Sequence, residues 1–135
     1  MASAVKLHPS HPFAQVFEFD TRFAPAAYFF VFEALRYGQE EMGMGSGQGA
    51  EEHHVTGQEL CEAIRCFALD QFGFMAKCVL NKWGVRKSGD FGDMVFNLIK
   101  VGRMKKTDQD RREDFENVFD FDRDLHQKFK ISLPD

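Results

Sequence analysis

The pattern of apolar and polar residues along the chain predicts a series of helices. Apolar residues fill most of the circumference over residues 25–41, and Pro25 favours a first helical turn there. A capping box formed by Thr56 and Glu59 predicts a second helix running to about residue 71. Residues 74–82 predict a shorter third helix, and Gly84 stands where its left-handed cap would lie.

The stretch SGDFGDMVFNLIKVG, residues 88–102, has the clearest helical period. Ser88 or Asp90 is expected to cap this helix, and Gly102 to end it. Its apolar residues follow an i, i+3, i+4, i+7 pattern and predict a buried face made of Phe91, Met94, Val95, Leu98, Ile99 and Val101. The residues left for the outward face are Asp90, Asp93, Asn97 and Lys100.

The remaining segments allow two interpretations each. Pro12 can open a short helix, although residues 17–20 also alternate as a strand does. Near the C-terminus, residues 103–106 predict a short strand, and the alternation within 115–121 predicts its partner. A helix through residues 115–129 is the alternative. We favour the strands, so the predicted fold class is mainly α with a small C-terminal β element (α+β), an order of elements that a winged-helix-like fold would also have.

Length and composition predict one soluble domain. The chain has 135 residues, of which 44% are hydrophobic and 28% charged. Residues 1–11 are expected to form a flexible tail, residues 12–135 a single globular domain, and the glycine-rich residues 42–52 a flexible loop within it. No leader or membrane span is visible. The cysteines, Cys61, Cys66 and Cys78, are expected to be buried free thiols, which favours a cytoplasmic location.

The charge distribution singles out the middle of the chain. The net charge is −4, yet residues 74–106 carry eight basic and two acidic side chains. These cations either contact an anion such as nucleic acid or pair with the acidic flanking segments. Asp90 and Asp93 would repel phosphate at the start of a recognition helix, so nucleic-acid binding is disfavoured. The candidate anion contacts are Lys82, Arg86, Lys87, Arg103, Lys105 and Lys106.

Short motifs in the chain do not extend to complete sites. Asp90-Phe91-Gly92 spells a kinase tripeptide, but the other parts of a kinase site are missing. Residues 120–124 begin like a calcium loop, which then lacks its glycine and glutamate. The pairs at residues 8 and 11 and at 53 and 54 do not bring enough histidines together for a metal. We predict no catalytic residues, no metal site and no cofactor.

Phenylalanine is unusually frequent, with 16 residues. Such rings supply core packing and also favour subunit interfaces. The candidate partner-interface residues are Tyr28, Phe29, Phe30, Phe32 and Tyr37. The leading hypothesis is a non-enzymatic interaction module that forms a homo-oligomer or binds a protein partner; a winged-helix-like nucleic-acid-associated protein is the alternative. No membrane contact is expected.

Part of the chain resembles a small uncharacterised bacterial family of planctomycete and verrucomicrobial type. The resemblance lies in three segments: AYFFVFEALRYG, HVTGQELCEAIRCFALDQFGFMAKCVLNKWGVRKSGDFGDMVFNLIKVGRMKKT and DRREDFENVFDFD. The resemblance covers roughly residues 25–122. It implies a compact cytosolic domain and carries no activity, ligand or catalytic residue.

Overall fold

The computed structural model describes residues 13–45, 55–106 and 110–127, and all of the regular structure within them is helical. The four α-helices are α1 (Pro25–Glu41), α2 (Gly57–Phe72), α3 (Ala76–Lys82) and α4 (Ser88–Lys100). Three short 3₁₀ turns and a π-helical turn complete the described part, at Val16–Glu18, Gly73–Met75, Arg112–Phe115 and Phe121–Gln127. The predicted tail at 1–11 and most of the predicted loop at 42–52 lie outside the described residues.

The capping box predicted at Thr56 and Glu59 is confirmed, whereas the N-cap residue of α4 is Lys87 and not Ser88 or Asp90. The Thr56 hydroxyl accepts a hydrogen bond from the Glu59 amide at 3.1 Å, and the Glu59 carboxylate accepts one from the Thr56 amide at 3.1 Å. At α4 the Asp90 carboxylate accepts from the Arg86 amide at 2.9 Å. It therefore satisfies backbone donors at the helix start from within the first turn.

Helices α1 and α2 pack antiparallel at close range. Phe30, near the start of α1, stacks on Phe72 at the end of α2, whereas Gly38 lies against Ala63 in the middle of α2. A Cβ atom added to Gly38 would lie 2.9 Å from the Ala63 Cβ, so the missing side chain permits the approach. Buried residues from all four α-helices and from the flanking segments join in one apolar cluster.

The segment before α1 crosses the turn between α3 and α4. The Ala24 amide donates to the Trp83 carbonyl oxygen at 2.9 Å. Gly84 has a φ of +94°, and a Cβ there would lie 2.2 Å from the Arg22 carbonyl oxygen. This turn therefore requires glycine for its backbone conformation and for the crossing chain.

The predicted C-terminal β element is wrong, because no described residue belongs to a strand. The apolar pattern of 115–121 comes from three of its own rings, because Phe115, Phe119 and Phe121 are buried in the core. The neighbouring backbone amides donate to side chains instead of a second strand: Val118 to the Ser88 hydroxyl at 3.1 Å, and Asp120 to the Asp124 carboxylate at 2.8 Å. The fold is therefore helical, and the missing sheet argues against a winged helix.

Candidate functional site

An aromatic groove lies between the first half of α1 and the end of α2. It has a volume of about 340 Å³. Its lining residues are Ala26, Phe29, Phe30, Glu33, Phe67, Gln71, Phe72 and Trp83. We call this surface the aromatic groove.

The floor of the aromatic groove is a cluster of packed rings. The Phe30 ring lies 5.3 Å from Phe67, 5.8 Å from Phe72 and 5.7 Å from Trp83, measured between ring centroids. Phe29 stands beside this cluster with 45% of its surface exposed. The edge-to-face contact of Phe29 with the buried Phe13, at 4.8 Å, supports its ring from below.

The five aromatic residues predicted at an interface occupy different environments. Tyr28 and Phe30 are buried in the core, and Phe29 is exposed. Phe32 and Tyr37 are half-buried, the latter against Phe67 at 5.2 Å. Phe29 and Phe30 line the aromatic groove, whereas Phe32 lines a second pocket.

The second pocket, the α4 pocket, lies where α1, α2 and α4 meet the chain at 103–115. Its volume is about 270 Å³. Its apolar lining residues are Phe32, Leu35, Val55, Leu60, Val95, Phe96, Ile99, Met104 and Phe115, together with Gly57. Its polar lining residues are Gln39, Arg103, Lys105, Asp110, Arg111 and Asp114.

The turn after α4 places cations at the α4 pocket. Gly102 has a φ of +79°, and the Arg103 amide donates back to the Leu98 carbonyl oxygen at 2.8 Å. The chain therefore reverses over the last turn of α4, which brings Arg103 and Lys105 beside the apolar residue Ile99.

The cations of the α4 pocket lie on its solvent side. Arg103, Lys105 and Arg111 are exposed, whereas the apolar lining is buried or half-buried. The Asp114 carboxylate accepts a hydrogen bond from the Arg111 amide at 3.1 Å. Neither Arg103 nor Lys105 forms an ion pair with any residue in the described ranges.

The six cations predicted to contact an anion are all exposed: Lys82, Arg86, Lys87, Arg103, Lys105 and Lys106. The α4 pocket brings two of them, Arg103 and Lys105, together with Phe32 from the predicted interface set. Three further residues at the same pocket were not predicted from the sequence: Arg111, Asp114 and Gln39. Their only sequence signal was their position in polar stretches, which does not distinguish a pocket from solvent.

The polar face of α4 is occupied by neighbouring segments. Asp93 forms ion pairs with Arg22, at 3.1 Å, and with Arg112. The Asn97 side chain donates to the Asp20 carboxylate at 2.8 Å and to the Tyr28 hydroxyl at 3.2 Å. The expected outward face of α4 is therefore used for internal contacts, a further argument against a recognition helix.

This network and its burial change two pKa values. Burial raises the pKa of Tyr28 to about 12. Burial alone would also raise the pKa of Asp20, but hydrogen bonds from Arg22 and Asn97 outweigh it, so this pKa lies below its ordinary value. Both groups therefore keep their usual charge at neutral pH, as structural groups do.

The three cysteines are free, but only Cys61 is buried, so the prediction of three buried thiols is wrong for the half-buried Cys66 and the exposed Cys78. Burial raises the pKa of Cys61 to about 12 and, as the largest cause, that of Cys66 as well. These two thiols are therefore protonated at neutral pH and poor nucleophiles.

Within the described ranges, no three His, Cys, Asp or Glu side chains are arranged to hold a metal ion. Four of the five histidines, at positions 8, 11, 53 and 54, lie outside those ranges. None of the helices in the described part has the length and apolar character that crossing a bilayer requires.

Comparison of the chain with protein-family models, curated proteins and solved structures finds no match. The resemblance to a planctomycete and verrucomicrobial family therefore stays a prediction.

Proposed function

We propose that the protein is a non-enzymatic interaction module that associates with a second copy of itself through the aromatic groove. The observation that carries this proposal is the exposure of Phe29, at 45%, directly beside a groove of further aromatic rings. Aromatic side chains held by neighbours provide large contact areas at low entropic cost, and they dominate the energetics of many interfaces.

The arrangement of the aromatic groove suits a two-fold dimer. In such a dimer the same surface of both copies forms the interface, so a projecting group and the recess that receives it must lie on one face. Phe29 projects beside the recess formed by Phe67, Phe72 and Trp83. Each copy can therefore insert its Phe29 into the groove of the other, and every contact occurs twice.

The charges of the aromatic groove are also compatible with such a dimer. Among the residues that the structure describes, Glu33 is the single charged residue that lines it, and no lysine or arginine does. Depletion of charge is typical of interface cores. The two copies of Glu33 would approach one another across the two-fold axis, so added salt should strengthen the association slightly. Binding of nucleic acid would show the opposite dependence.

The test is sedimentation velocity over a range of protein concentrations. We expect the wild-type mass to rise from that of a monomer towards twice that value. Ala26→Glu places a second carboxylate in the groove from an exposed position, where it would repel the Glu33 of the other copy, and it leaves every ring contact intact. This variant and Phe29→Glu should weaken the dimer by more than about 30-fold, as expected for the loss of a hot spot.

Phe74→Glu is the matched control, because Phe74 is 52% exposed and does not line the groove. It should associate as the wild type does. A wild-type protein that stays monomeric at all concentrations would refute the proposal, as would equal weakening by Phe74→Glu.

We also propose that the module acts in the cytoplasm, which its three free thiols support and which cell fractionation tests.

A further inference from the structure

The α4 pocket is a second site, separate from the proposed interface. The two sites share no lining residue, and on α2 the α4 pocket uses Leu60 near the start of the helix, whereas the aromatic groove uses Phe67 and Phe72 towards its end. We propose that the α4 pocket binds a medium-chain carboxylate, with the alkyl chain among the apolar lining and the carboxylate at Arg103 and Lys105.

The apolar lining sets the size of the ligand. The pocket volume of about 270 Å³ equals the space of about nine water molecules at roughly 30 Å³ each. A methylene group takes up about as much space as a water molecule, so a chain of about eight to ten carbons fits. Val95 and Ile99 of α4 and Leu60 of α2 provide walls on rigid helices, as is usual for preformed ligand sites.

The charges at the pocket determine the head group. Among the described residues, three cations and two carboxylates line it, which gives this part of the lining one positive charge in excess. The Asp114 carboxylate is engaged by the Arg111 amide, whereas Arg103 and Lys105 form no ion pair with a described residue. A singly charged anion would balance this excess. The guanidinium of Arg103 also matches the two oxygens of a carboxylate in geometry.

The experiment is a calorimetric titration of the full chain with decanoate, with decan-1-ol and with butyrate, all below their aggregation concentrations. Decanoate should bind with a Kd below about 1 mM. Decan-1-ol, which has the same chain without the charge, should bind at least tenfold more weakly, and butyrate should not bind. In a parallel NMR titration with decanoate, the methyl signals of Val95 and Ile99 should shift.

The double variant Arg103→Gln/Lys105→Gln should weaken decanoate binding at least tenfold and leave decan-1-ol binding unchanged. The double variant Lys82→Gln/Arg86→Gln removes the same charge from exposed positions outside the pocket, and it should bind decanoate as the wild type does. The proposal fails if decanoate does not bind, if both double variants weaken its binding equally, or if the NMR signals that shift are those of Ala26 and the Trp83 indole in the aromatic groove.

Discussion

At the scale of single residues, Ser88 joins two segments that are distant in the sequence. Its hydroxyl donates to the Phe115 carbonyl oxygen at 2.7 Å and accepts from the Val118 amide at 3.1 Å. The residue is 1% exposed, so water cannot replace these partners. One hydroxyl at the start of α4 thus holds the segment that carries the C-terminal rings.

Ser88→Ala should lower the free energy of unfolding by about 1–3 kcal/mol, because it leaves a buried carbonyl and a backbone amide without their partner. Urea denaturation followed by circular dichroism measures this loss. Thr21→Ala removes a hydroxyl from an exposed residue and should change stability by less than about 0.5 kcal/mol. A loss of similar size in both variants would contradict the structural role of Ser88.

At the scale of elements, α4 packs against the turn at Arg112–Phe115 so closely that there is no room for a side chain at Gly92. A Cβ added to Gly92 would lie 2.8 Å from the Phe115 Cβ and 3.0 Å from the Arg112 Cδ. A Cβ added to Gly57 of α2 would lie 2.8 Å from the Phe115 ring. Two glycines on different helices therefore form the site that receives Phe115.

Gly92→Ala should destabilise the protein by about 1–3 kcal/mol through overpacking, even though alanine favours a helix by about 1 kcal/mol. Gly89→Ala is the matched control in the same helix. Its Cβ would meet the carboxylate end of the exposed Glu116 side chain, which can move away. Thermal unfolding should give a clear loss for Gly92→Ala and little change for Gly89→Ala; equal changes would contradict this account.

The difference between α1 and the C-terminal segment explains what the sequence could predict. The predicted limits of α1, 25–41, are confirmed, because a proline start and a continuous apolar pattern act locally. Apolar residues do alternate within 115–121, but two backbone amides of this segment donate to the side chains of Ser88 and Asp124 and not to a neighbouring strand. No local pattern shows such partners, so the strands were predicted wrongly.

The two candidate surfaces also differ in how far the local sequence predicts them. Phe29 and Phe30, which line the aromatic groove, were predicted from one run of aromatic residues. The α4 pocket instead draws residues from three α-helices and from both sides of the 112–115 turn. Each of its residues is ordinary in its local sequence, and only the tertiary structure places Arg103 beside Leu35.

At the scale of the whole molecule, the polar network ties the segment before α1 and the turn at Arg112–Phe115 to α4. Asn97 and Asp20 are 77 residues apart in sequence, and Arg22 and Asp93 are 71 apart. Since the folded pKa of Asp20 lies below its ordinary value of 3.8, its ionised form stabilises the fold above that value. This contribution is lost as the pH falls through the folded pKa.

Asp20→Asn should therefore reduce the free energy of unfolding by up to about 1 kcal/mol at pH 7, and the difference from wild type should shrink as the pH falls below about 4. Urea denaturation at a series of pH values measures both effects. Glu40→Gln, at an exposed position of α1, should show no comparable pH-dependent difference. A difference for Asp20→Asn that is constant down to pH 2 would contradict the ionic role of this residue.

Trp83 is the single tryptophan of the chain, and it packs on Phe30 and Phe72 in the aromatic groove. Its carbonyl oxygen also accepts the hydrogen bond that fixes the segment before α1. The molecule therefore contains one tryptophan fluorophore at the position where the tertiary structure and the proposed interface meet. Unfolding moves this indole into water and shifts its emission to the red, whereas covering the groove shifts it to the blue, so a single optical signal separates the two events.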